Sequence, residues 1–512
     1  MALSNQLLKF LDNKYNQLFL GVLFIGIFLR LKYFLIESIW NDASVHLWFA
    51  IKLLQEPSFI FTVDFLTGDY VIPQFITAFF YIFTQNIFIA GKLMVFIYTL
   101  IGIVFIYLLG SELRSKAVGI LAAILFVFNP LIWFYGVRPL AEAPLIAMFI
   151  VVAYCFVKLT KEKTLFWSYT TIFMIFAAIL TKMYAILLLI SFVIYVLVFM
   201  RKEFMESRAI RRSVLYLVGI LFIANIVFYA LFRKIIVAPF FLRIFSLEGL
   251  QQGFEAISYI PYIISSYVLV LFVVGIFFVM YYKIKLFNFM LLTMIIYWFY
   301  FEFAVRSVLD RYMLPIIPYI ILFAVFGLIE VANVLKLLVK VKYMKLIFIS
   351  IIMLIVCISN YSYGTALIDS KVNTYTGYQE AGGWIKANVE DTNVVIFAGS
   401  WRSIRAFSER EVYNSYSIYQ DGEIVNLRSE HYLERSQFEQ DLQQAILDGK
   451  QIYLEIDIWE YAQHNWYFPL TQESVSYFQQ IGFVPVKIIE RDVQTQQGKQ
   501  TTPVILIFKY NQ

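Results

Sequence analysis

Residues 118–163 read VGILAAILFVFNPLIWFYGVRPLAEAPLIAMFIVVAYCFVKLTKEK. Two span-length apolar runs, 118–136 and 143–158, flank a short join whose charged residues are Arg138 and Glu142, and the second run ends on Lys158, Lys161 and Lys163. Hydrocarbon offers the backbone no hydrogen-bond partner, so runs of this kind must satisfy their amides internally as helices. The stretch is therefore a helical hairpin in a bilayer, with a carboxylate and a guanidinium at its turn and lysines at its far end.

Working outward, the same pattern recurs. Eleven spans are expected, at 18–36, 88–109, 118–136, 143–158, 165–181, 183–200, 213–232, 260–281, 286–304, 312–333 and 344–363. The shorter run 71–84 contains Pro73 and reads as an interfacial or re-entrant segment. The first run lacks a small-residue cleavage site, so it reads as a span and not as a cleaved signal peptide. Of 512 residues, 61% are hydrophobic and 15% charged, and mean hydropathy is +0.74. A soluble globular chain is nearer half apolar and a quarter charged, so lipid is the main solvent here. Cys155 and Cys357 both lie within apolar runs, which leaves no disulfide framework for any soluble part.

Charge divides the chain. Residues 1–363 carry a net +13 and residues 364–512 a net −7, so a transmembrane domain is expected over 1–363 and a soluble domain over 364–512. Most of the lysines and arginines of the first part fall in alternate loops, such as Arg114/Lys116, Lys158–Lys163, Arg201–Arg212, Lys283/Lys285 and Lys336–Lys345. The positive-inside rule puts these loops and the N-terminus in the cytoplasm. Eleven spans then carry the last domain outside, at a plasma membrane of bacterial or archaeal type. There, helical patterns at 376–388, 432–447 and 472–481 alternate with strand patterns at 393–398, 451–457, 483–490 and 503–509, a small α/β layer structure.

Chemistry is expected at the outer face. The first outer loop, 37–87, holds Glu37, Asp42, Glu56, Asp64 and Asp69, with the run Trp40-Asn41-Asp42-Ala43-Ser44-Val45-His46 near its start. The second holds Arg138 and Glu142. Asp42 stands before the helical pattern ASVHLWFAIKLL, where it could be an N-cap, and Glu142 suits the first turn of its span. His46, four residues after Asp42, shares its helical face; a divalent metal could use that pair, but two ligands fall short of a metal site and no cofactor is called for. Lys52, Lys92, Arg138, Lys182, Arg233, Lys234, Arg243, Arg306 and Arg311 also fall on this face, against the positive-inside bias. Some of these meet lipid headgroups; a convergent subset would bind a phosphate.

These motifs resemble the GT-C superfamily of membrane glycosyltransferases, most closely glycosyltransferase family 39, which includes protein O-mannosyltransferases and lipid A aminoarabinose transferases. The likeness is carried by Trp40–His46, by Gly136-Val137-Arg138-Pro139-Leu140-Ala141-Glu142-Ala143-Pro144, by Leu180-Thr181-Lys182 and by Asp310-Arg311-Tyr312-Met313-Leu314-Pro315-Ile316-Ile317-Pro318, with a fainter echo at Ala381-Gly382-Gly383-Trp384-Ile385. Ala43 and His46 depart from the family's usual Asp-Glu and Tyr, and the Trp-Trp-Asp-type motif of oligosaccharyltransferases is missing from the sequence.

The resemblance implies a GT-C-like membrane fold and an inverting transfer of a monosaccharide from a polyprenyl- or dolichyl-phosphate donor to a hydroxyl on a protein, glycolipid or glycan. Asp42 would be the general base, Glu142 would position the acceptor or share that role, and Lys182, Arg311, Arg138 and Arg306 would clamp the phosphate, supported by His46 and Tyr312. The partners are lipids and carbohydrate, not nucleic acid. A polymerase or ligase using a pyrophosphate carrier is one alternative. A transporter or flippase is another, although its charges would run through the middle of the spans, whereas Arg30 and Glu302 sit near span ends.

Overall fold

The computed structural model describes residues 13–62, 71–232, 258–305, 309–339, 341–390, 392–413, 417–420, 422–426, 435–459, 469–495 and 498–511. Asp64, Asp69, Arg233, Lys234, Arg243, Arg306, His431 and His464 lie outside the described residues. By its contacts the chain forms two compact units. One comprises 1–34, 60–73 and 93–368, and the other 35–59, 74–92 and 369–512.

The first unit is helical. Among the described residues seven helices are long and apolar enough to cross a membrane: Lys14–Lys32, Ile87–Leu113, Glu142–Glu162, Arg208–Val227, Lys285–Ala304, Asp310–Val339 and Met344–Asp369. Shorter apolar helices include Val71–Thr84, Lys116–Phe128, Leu165–Thr181 and Ser266–Tyr282. The chain is a multi-pass helical membrane protein, and each of the eleven expected spans is helical. Two are interrupted. The helix Lys116–Phe128 stops at Asn129, whose Oδ1 accepts from Ile132 N at 3.0 Å to start the helix Pro130–Tyr135. Pro130 has no N–H to continue the ladder, yet suits the first turn of a new helix. The run expected at 260–281 divides into Ile260–Ile263 and Ser266–Tyr282. The run at 71–84, read as interfacial, is helical throughout.

The segment Asp310–Val339 is the best-buried of these spans, with 94% of its apolar window inside the protein. It begins as a 3-10 turn, Asp310–Ile316, and continues as the helix Ile317–Val339; Pro315 and Pro318 keep its first turns from ordinary α-helical bonding. The helix Ser266–Tyr282 packs against it through glycines. A Cβ on Gly275 would lie 1.9 Å from the Phe323 carbonyl oxygen, and one on Gly327 would lie 2.4 Å from that of Leu271. Small residues that bring backbones together supply the dispersion contact that holds helices in lipid, where apolar side chains gain little from leaving their solvent. Arg30 is buried, and its Nη1 donates to Val127 O at 2.8 Å, at the end of the helix Lys116–Phe128. There a cation complements the helix dipole.

In the second unit the sheet runs β1 (Val394–Ala398), β4 (Gln451–Asp457), β6 (Gly498–Tyr510), β5 (Phe483–Thr495), with β1 and β4 parallel and the remaining pairs antiparallel. A separate hairpin joins β2 (Ser417–Gln420) to β3 (Glu423–Asn426). Phe397, Phe438, Phe478, Phe483 and Phe508 form the core beneath the helices Arg435–Leu447 and Gln472–Gln480. The α/β layering follows the sequence reading. The hairpin and the helix Trp401–Ser408 were not anticipated.

A buried cation and carboxylate cluster as the candidate active site

The helix Glu142–Glu162 runs away from the Arg138–Glu142 turn, and Leu165–Thr181 runs back, so Glu142 and Lys182 return to the same end of the bundle. Each suits its place. Glu142 opens a helix and Lys182 caps the end of one, which are the polarities the helix dipole favours. Arg311 arrives from the 3-10 turn that opens the central span.

Lys182 Nζ lies 3.0 Å from Glu142 Oε1, and Arg311 Nε lies 3.9 Å from the same oxygen. The Glu142 and Lys182 side chains are 3% and 4% exposed, and Arg311 is 13% exposed. An isolated charge so far from water is prohibitively costly, and mutual pairing is what permits these three here. Aromatic rings wall the cluster. Lys182 Nζ stands 5.8 Å from the Tyr184 ring centre and 5.7 Å from that of Tyr312. Phe301 stacks on Tyr312 with centroids 5.5 Å apart.

A second carboxylate joins them. Asp310 Oδ1 accepts from Tyr135 Oη at 3.0 Å and from the Arg311 backbone N–H at 2.7 Å, which fixes the turn from which the Arg311 side chain departs. Asp310 opened its motif in the sequence and Tyr135 stood next to Gly136, but neither was given a role, and the signal was their adjacency to Arg311 and Gly136. Arg138 donates from Nη1 to Phe134 O at 2.8 Å and lies 3.6 Å over the Phe134 ring. Burial pushes its guanidinium down to about 10, still protonated at neutral pH.

Asp42 and His46 belong to the second unit, on the helix Asn41–Gln55. The helix starts two residues earlier than the N-cap reading required. Trp40 is the capping position and Asp42 lies in the first turn. Asp42 is partly buried and His46 is buried. Among the described residues no group of three or more His, Cys, Asp or Glu side chains converges in a metal-ligating set.

Comparison with known proteins adds the following. Residues 70–231 match the family model described as dolichyl-phosphate-mannose-protein mannosyltransferase, a stretch that includes Arg138, Glu142 and Lys182. No curated protein sequence matches the chain. Among solved structures, ArnT from Cupriavidus metallidurans bound to undecaprenyl phosphate is similar over 97% of this chain and 98% of that one, with a TM-score of 0.58 at 10% identity. An oligosaccharyltransferase from Archaeoglobus fulgidus in complex with zinc and sulfate is similar over 94% of this chain and 73% of that one, with a TM-score of 0.57 at 11% identity. The archaeal oligosaccharyltransferase AglB from the same organism, in complex with an inhibitory peptide and a dolichol-phosphate, gives 95%, 74%, 0.51 and 11% respectively. The expected likeness to GT-C membrane glycosyltransferases thus holds, in fold along nearly the whole chain and in sequence over residues 70–231.

Proposed function

We propose that the protein is an inverting glycosyltransferase that moves a monosaccharide from a polyprenyl- or dolichyl-phosphate to an acceptor hydroxyl at the outer membrane face. The observation that carries this reading is the buried Glu142–Lys182–Arg311 cluster at one end of a lipid-embedded bundle. Two cations gathered there by a protein carboxylate can also meet a phosphate, whose negative charge would find its counter-ions already in place. The solved neighbours with undecaprenyl phosphate or dolichol-phosphate support the lipid-phosphate class.

In this reading Asp42 takes the proton from the acceptor hydroxyl as its oxygen bonds to C1 of the sugar. The C1–O bond to phosphate breaks, and the lipid phosphate leaves with the electron pair. The charge gained by that oxygen is met by Lys182 and Arg311, with Arg138 and Arg306 as further candidates. The leaving group is a phosphate, so no general acid is needed. Glu142 holds the two cations in place, and His46 and Tyr312 support the acidic and basic sides. The N-terminus is cytoplasmic, residues 1–363 contain the chemistry, and residues 364–512 form an extracytoplasmic accessory domain.

The test is turnover of purified, membrane-reconstituted protein on polyprenyl-phosphate and polyprenyl-pyrophosphate sugars. Only the monophosphate should be consumed, and Asp42→Asn should lower turnover at least about 100-fold with the fold intact. Consumption of the pyrophosphate donor would favour a polymerase or ligase. Movement of lipid across the bilayer without bond cleavage would favour a flippase.

A further inference from the structure

The helix Asn41–Gln55 draws long-range contacts just before its entry and along one face. Its capping residue, Trp40, gives no side-chain hydrogen bond to the first turn, and a helix of 15 residues is marginal alone. What fixes it comes from far along the chain, within the same compact unit.

The helix Tyr378–Asn388 begins after Gly377, whose φ of +97° suits glycine and which has no side chain to cap with. Glu37 fills the vacancy from 340 residues upstream. Its Oε2 accepts the Gly377 N–H and its Oε1 the Gln379 N–H, each at 2.9 Å. A carboxylate on free N–H groups at a helix start is the favourable charge-assisted arrangement. Ile39 N donates to Tyr375 O at 3.1 Å just beyond.

The next helix, Trp401–Ser408, lies against Tyr378–Asn388 at Gly382. A Cβ there would come within 2.4 Å of Phe407 Cβ and 2.6 Å of its carbonyl carbon. On that helix, Ser403 Oγ stands 2.8 Å from Ser44 Oγ, with both side chains fully buried. The Arg405 guanidinium lies 4.5 Å from the Trp48 ring centre, and Lys52 Nζ pairs with Glu411 at 3.0 Å. Ser44, Trp48 and Lys52 recur every four residues, so they form one stripe. Asp42 precedes Ser44 by two residues and sits about 200° around the helix from it, off that stripe.

We infer that the C-terminal α/β unit is the seat of the Asp42 helix, with Glu37 as a positioning residue. The docked arrangement is the working one. This rests on the reading of Asp42 as the base, and it gives the last domain a part in the transfer step itself.

The test uses the full chain with Cys155→Ala and Cys357→Ala, into which Ser44→Cys and Ser403→Cys are introduced. Oxidation should join the pair, and the cross-linked enzyme should keep turnover within about twofold. Failure to cross-link would overturn the docking. Loss of turnover on cross-linking, restored by reduction, would overturn the claim that the docked state works. In parallel, Glu37→Ala should lower kcat by roughly 10- to 100-fold, the scale of a base displaced by a fraction of an ångström to an ångström. Donor KM should stay unchanged, and Glu37→Asp should recover part of the loss. An equal change in donor KM, or an unaltered kcat, would count against a positioning role. If Asp42→Asn kept near-normal turnover, the functional reading would fall instead, whatever the cross-link shows.

Discussion

Glu142→Gln separates the two jobs assigned to the buried carboxylate, because glutamine keeps the shape and removes the charge. At an effective dielectric constant of about 20, unit charges at the observed 3.0 and 3.9 Å attract by roughly 5 and 4 kcal/mol. Desolvation of the ions cancels much of that, and neutralising one member of a buried pair costs about 3–5 kcal/mol. The apo variant should therefore be less stable by an amount in that range. Adding a lipid phosphate should reverse the loss, since the new anion replaces the lost one. A ligand at 100 times its Kd stabilises by about 2.7 kcal/mol, and without a competing carboxylate the variant's Kd should fall at least about tenfold. The assay is thermal unfolding of detergent-solubilised wild type and variant across a titration of undecaprenyl phosphate. Turnover should fall while affinity rises, because the product phosphate is held. If undecaprenyl phosphate stabilised the variant no more than the wild type, Lys182 and Arg311 would not be the phosphate clamp.

Two further predictions concern packing and pH. Gly275→Leu should sharply lower the yield and stability of folded protein, since its side chain would meet the Phe323 backbone and not a movable group. Gly219→Leu, where a Cβ meets nothing within 4 Å, should be tolerated. In the second unit, Glu380 is held below the ordinary glutamate range by Lys487 at 2.7 Å and Arg491 at 3.1 Å. Its contribution is present above the unfolded glutamate value and is lost as pH falls through the lowered folded value. Thermal unfolding of Glu380→Gln and wild type should therefore differ at pH 7 and converge as pH falls below the ordinary glutamate range.

The spans were legible because each is a long apolar run, and lipid leaves the backbone no choice but a helix. Their interruptions were harder to read. Pro130 was visible, but only the Asn129 cap shows that it starts a second helix and does not kink the first. The helix Trp401–Ser408 was missed because its amphipathic pattern lasts only eight residues, about two turns, too short to stand out until Gly382 and Ser44 are seen against it. The site residues were legible as charges stranded at span ends, but their pairing was not. Glu142 and Lys182 are 40 residues apart and meet because two helices reverse direction between them. Glu37 read as one acid in an acidic loop, and its partners are backbone amides, which no side-chain pattern can advertise.

The sequence reading gave Asp42 the base role and left Glu142 to position the acceptor or share it, and their surroundings set the two apart. Glu142 is almost fully enclosed and faces two cations, so any proton it took from an acceptor would remove a negative charge facing both. A base must tolerate becoming neutral halfway through the reaction, and Glu142 is placed where neutrality costs most. Asp42 stands on a helix held along another stripe by Ser44, Trp48 and Lys52, so those three contacts do not depend on its charge. On these grounds we propose that Asp42 is the base and that Glu142 is the anion that keeps the phosphate clamp assembled between turnovers.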